Sequence, residues 1–98
     1  MQLRINNQFV DLLVLKEHAP LTERDHLLLG RVDHILRANP EFQRQYPRAK
    51  LEQVMSCPDH PDCFCFSYTS LHGPVEIHAG RASLVTIDLE RRKVTITT

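Results

Sequence analysis

Glycine is scarce in this 98-residue chain: there are three, none next to another. That excludes the usual glycine-rich phosphate loops and dinucleotide fingerprints, which need side-chain-free backbone close to an anion. No serine elbow and no His-Glu-x-x-His motif is present either, so the common hydrolase and zinc-protease signatures are missing. An excess of one charge is also lacking, because 12 Lys and Arg balance 12 Asp and Glu. Nucleic-acid binders normally carry a basic surplus. Arg24, Arg31, Arg37, Arg91, Arg92 and Lys93 could meet phosphates, but Glu23, Asp25, Asp33 and Glu90 interleave with them. A nucleic-acid-binding regulator is therefore the weakest of the readings kept. Apolar runs are short, the longest being Leu12 to Leu15, against about 18 residues for a membrane span. The opening MQLRINNQ lacks the basic and apolar regions of a signal peptide,, so no membrane association and a cytoplasmic location are expected. Three cysteines cannot all pair within one chain, which disfavours a secreted disulfide framework.

What is present suits a folded domain. Hydrophobic residues make up 42% and charged residues 24%, a globular balance, and the length suits one domain spanning residues 1–98. Residues 2–6 and 8–15 read as an N-terminal β-hairpin around Asn6-Asn7, since asparagine tolerates left-handed backbone. The second of these runs is apolar nearly throughout, which predicts a central or well-covered strand. A main helix starts at Thr22, a good N-cap, with Glu23 and Asp25 in its first turn. Leu28, Leu29, Val32, Ile35 and Leu36 form its apolar stripe, and His26, His34, Asp33 and Arg37 read as its solvated face. Asn39-Pro40 ends it, and Pro40 suits the start of a second, short helix over EFQRQY.

From Leu51 the texture is that of strands, with residues 48–56 open between strand and helix. FCFSYT alternates, placing Phe64, Phe66 and Tyr68 on one face and Cys63 and Cys65 on the other. PVEIHA, LVTIDL and KVTITT follow, with turns expected at His72-Gly73-Pro74, Gly80-Arg81 and Glu90–Arg92. The expected fold is α+β: an N-terminal hairpin, one main amphipathic helix plus a short one, packed on a C-terminal antiparallel sheet. Short connections predict a meander, with KVTITT as an edge strand open to a second chain.

The chemistry concentrates in CPDHPDCFC, residues 57 to 65. Cys57-x-x-His60-x-x-Cys63 has the two-residue spacing of a zinc knuckle, and Cys65, His72 and His78 follow as further ligands. Asp59 and Asp62 would add negative charge near a cation. Two other readings compete. Prolines and aspartates are what a connecting loop uses, and Cys63 and Cys65 could be small buried fillers. A reactive thiol would need a nearby cation to lower its pKa, and the adjacent charges are acidic. His78 alternates outward beside Glu76 and reads as half of a sheet-surface pair. The metal set expected is Cys57, His60, Cys63 and Cys65, with zinc as the only cofactor. The expected function is a small regulatory module that binds a partner protein or forms a homodimer, zinc being structural. The alternative is a small metal- or thiol-dependent enzyme using Cys57, His60 and Cys63, with His72 or His78 as acid/base.

Overall fold

A computed structural model describes residues 2–13, 21–57 and 63–97. Seven strands form one mixed sheet in the order β1-β2-β3-β4-β5-β7-β6. They are β1 (Gln2–Ile5), β2 (Gln8–Leu13), β3 (Lys50–Ser56), β4 (Cys63–Thr69), β5 (Val75–Arg81), β6 (Thr86–Asp88) and β7 (Lys93–Ile96). Two helices, α1 (Glu23–Ala38) and α2 (Pro40–Gln45), lie between β2 and β3 in the chain.

The N-terminal hairpin forms around Asn6 (φ 46°) and Asn7 (φ 69°), both in the left-handed region that a tight two-residue hairpin turn demands. Thr22 caps α1 with a full capping box: its hydroxyl accepts from the Asp25 N–H while the Asp25 carboxylate accepts from the Thr22 N–H,. Asn39 ends α1 and caps α2, its side chain accepting from the Phe42 N–H at 2.9 Å. Residues 50–56 are strand.

The sheet is not antiparallel throughout, which corrects the expected fold. β2 pairs with β3 in parallel, and β5 pairs with β7 in parallel. The first pairing follows from the helices. A chain that leaves the end of β2 and crosses the sheet through α1 and α2 returns to run in the same direction. The hairpin therefore belongs to the main sheet and is not a separate feature. The second arises because the segment after β5 passes β7 to the outer edge, forms β6 there, and turns back into the gap. Arg92, at φ 53°, lies in that return. β7 is consequently an inner strand and the sheet edges are β1 and β6. The turn expected at Gly80-Arg81 is also absent, since β5 runs through both residues. The strand read over residues 84–89 shrinks to Thr86–Asp88, with Leu84 and Val85 exposed.

One face of the sheet holds the core. Val10, Leu12, Val54, Phe66, Ile77 and Ile96 pack there against Leu28, Leu29, Val32 and Leu36 of α1 and Phe42 of α2. The helices cover that face alone. β2 is therefore covered on one side only: Val10 and Leu12 are buried, while Phe9 is 69% and Leu13 47% exposed. Asp33 departs most from expectation. It is wholly buried, with its carboxylate accepting from the Tyr68 hydroxyl at 2.7 Å, Gln8 Nε2 at 3.0 Å, Asn6 Nδ2 at 3.3 Å and Arg37 Nε at 3.0 Å. A buried carboxylate persists only when so paired. Here it joins helix, hairpin and β4. No helix among the described residues is long and apolar enough to cross a membrane.

Candidate metal centre

The face of the sheet opposite the two described helices carries the candidate site, and strand phase explains how. In β4 the aromatics Phe64, Phe66 and Tyr68 point into the core, so the alternation sends Cys63 and Cys65 to the opposite face. In β5, Ile77 and Ala79 are core residues, which sends His78 outward as well. Register then places Cys65 directly opposite His78, and Met55 opposite Cys65 on its other side. Cys57 follows β3 immediately, and its N–H donates to the Cys63 carbonyl at 3.0 Å. That bond extends the β3–β4 ladder by one step and holds the ends of the 58–62 segment together.

The result is a compact group of soft and borderline donors. Cys57 Sγ lies 3.4 Å from Cys65 Sγ, and Cys65 Sγ lies 3.3 Å from His78 Nδ1. One ligand atom from each residue falls within 4.8 Å of the others, so Cys57, Cys65 and His78 could hold a metal ion. Tetrahedral zinc, with bonds of about 2.3 Å to sulfur and 2.0–2.1 Å to nitrogen, separates its sulfurs by about 3.8 Å and sulfur from nitrogen by about 3.6 Å. The two spacings at Cys65 need to open by only a few tenths of an ångström, and the Cys57–His78 spacing lies within 4.8 Å.

Burial sets the electrostatics. Cys57 and Cys65 are 7% and 5% exposed although no helix covers them. Desolvation pushes the Cys57 thiol far above the ordinary thiol range, and its hydrogen bonds with Cys63 and Cys65 push the same way. Cys65 is raised as well, chiefly by burial; its bond with Cys57 opposes this and the nearby Glu76 carboxylate reinforces it. Such thiols are poor nucleophiles, because only the thiolate attacks. They release their protons when a cation takes the protons' place.

Among the residues singled out from the sequence, Cys57 and Cys65 come together. Cys63 is half-buried, with its thiol close enough to bond that of Cys57. His60, Asp59 and Asp62 lie outside the described residues. His72 stands apart from the cluster, its Nδ1 2.9 Å from the Gln45 carbonyl. His78, read chiefly as a surface partner of Glu76, is the imidazole that reaches the thiols. Its outward phase was visible in PVEIHA, but its pairing with Cys65 depends on register. A cleft of ≈370 Å³ adjoins the group, bordered by Cys63, His78, Gly80, Arg81 and Lys93. Comparison of the chain with protein-family models, with curated proteins and with solved structures returned no match.

Proposed function

We propose that the chain is a small protein-binding module whose sheet is stapled by one structural zinc ion, held by Cys57, Cys65 and His78, with Cys63 as fourth ligand. The observation that carries this reading is the convergence of Cys57, Cys65 and His78 on one point from β4, β5 and the residue after β3. A metal there ties three neighbouring segments together. Three thiolates and one imidazole form a complete tetrahedral set of the structural kind. The raised thiols argue against a thiol nucleophile, and the zinc requirement suits a reducing compartment such as the cytoplasm, where the cysteines stay available.

The cleft beside His78 supports a second reading in which Cys63 does not ligate and the fourth position opens to a small molecule, as in a metal-dependent enzyme,. Cobalt substitution tests both. A closed site gives a tetrahedral thiolate-to-cobalt absorption that added azide leaves unchanged and that Cys63→Ser weakens. Absorption that shifts with azide and survives Cys63→Ser assigns the open site instead. No cobalt binding removes both readings.

A further inference from the structure

A groove of ≈610 Å³ lies away from the cysteines, between the outer edge of β1 and one flank of α1. We infer that it is a docking site for an extended acidic segment of a partner protein, which adds to the sheet as an eighth strand beside β1. The inference rests on the reading of the chain as a protein-binding module, but not on the metal.

Three observations converge. Among the described residues β1 pairs only with β2, so its other edge is open. Ile5 and Gln8 flank the tight turn as a hydrogen-bonded pair, so by the ladder's alternation the N–H and C=O of Arg4 point away from β2. Such an edge accepts a further strand through main-chain bonds. Second, the roof of the groove is built for recognition. From α1 it presents His26, Leu27, Arg31 and His34, and Leu27 is 63% exposed on a helix whose other leucines are buried. Third, the charge is uncompensated. Arg37, Arg44, Arg81 and Arg91 each pair with a carboxylate. Among the described residues Arg31 bonds only the neutral Thr97 carbonyl and Arg4 only the neutral Asn7 side chain. No Asp or Glu among the described residues lines the groove.

Charge selects the occupant. A second copy pairing through its own β1 would bring Arg4 and Arg31 against Arg4 and Arg31, and like charges across an interface are unfavourable. A single small anion would satisfy Arg31 and leave both Leu27 and the strand edge bare. An extended segment with glutamate or aspartate towards Arg31 on the α1 side, and an apolar residue to cover Leu27, uses the strand edge, the Arg31 charge and the exposed leucine together.

The probe is a short fluorescent peptide alternating glutamate and valine, measured by anisotropy against the full chain. The expected result is saturable binding that the corresponding lysine-valine peptide lacks, with the Arg4 amide protected from hydrogen exchange. Arg31→Glu should weaken it at least tenfold, or about 1.4 kcal/mol, with an unchanged melting curve. Leu27→Ser should weaken it with the same fold control. Backbone N-methylation of alternate peptide residues should abolish it. Equal binding of the N-methylated peptide, competition by millimolar inorganic phosphate alone, or Arg4 protection in a peptide-free dimer would each overturn the inference. Chelation separates the two proposals. Loss of peptide binding with intact metal condemns the groove, whereas absent metal with intact peptide binding condemns only the zinc site.

Discussion

Replacing Asp33 by alanine should be among the most damaging changes on the exposed side of α1's sequence pattern, where a charged residue reads as dispensable. The carboxylate is wholly buried and receives donors from Tyr68, Gln8, Asn6 and Arg37. These donors do not lose equally. Arg37 is 40% exposed in its side chain and can turn to water, and Asn6 is exposed. The Tyr68 hydroxyl cannot, because Tyr68 is 1% exposed. Burial and the neighbouring carboxylate already push its pKa well up, so it stays a neutral donor. Leaving that buried hydroxyl without its acceptor costs about 1–3 kcal/mol. For a domain of this length that lowers Tm by at least about 4 °C. Urea unfolding followed by circular dichroism, with an unchanged m-value, measures it. The double variant Asp33→Ala/Tyr68→Phe removes the orphan and should regain about 1–3 kcal/mol over Asp33→Ala. A loss under about 1 kcal/mol for Asp33→Ala, or a double variant no more stable than the single, refutes the argument.

Other expectations follow from local geometry. Thr22→Ala removes the hydroxyl half of the capping box and should cost about 1 kcal/mol in the same unfolding assay. Asp25 also meets Arg81 at 2.7 Å. Burial raises its pKa, but the Thr22 and Arg81 hydrogen bonds outweigh this and leave it below the ordinary value of 3.8. A depressed carboxylate stabilises the fold above its unfolded pKa, and that contribution fades as pH falls through the folded value. Melting curves of wild type and Asp25→Asn should therefore differ at about pH 6, and the gap should narrow as pH falls below the ordinary value of 3.8,; a constant gap as the solution is acidified contradicts the linkage. Gly30→Ala should stabilise by about 0.5–1 kcal/mol through helix propensity, since an added Cβ meets only Asn6 Oδ1 at 3.6 Å. Denaturant unfolding checks it, and destabilisation would show that the hairpin cannot yield there.

Some of this was readable from residues alone, for physical reasons. Asn6-Asn7, Thr22 and Asn39-Pro40 act through their own backbone neighbours, so the hairpin and both helices were legible. The phase of FCFSYT was legible too, because strand period is a property of one strand. Which strand lies beside which is not. Period fixes the face a residue takes, whereas parallel pairing of β5 with β7 depends on a route around the sheet edge that leaves no local mark. Asp33 sits among polar helix positions, and only the approach of Tyr68 and the hairpin buries it. The candidate site divides along the same line. CPDHPDCFC marked the thiols, and the outward phases of Cys65 and His78 followed from alternation. That Cys65 faces His78 while His72 stands apart is a fact of register.

Metal stoichiometry tests the central claim most directly. Elemental analysis of untagged protein, purified reduced and without chelator, should find about one zinc per chain, and a strong chelator should lower the melting temperature. Cys57→Ser, Cys65→Ser and His78→Asn should each reduce the zinc content and blunt that response, whereas His72→Asn should do neither. No bound metal, with a melting curve that chelator and added zinc leave unmoved, would make Cys57, Cys65 and His78 a packed polar cluster on the open sheet and contradict the account.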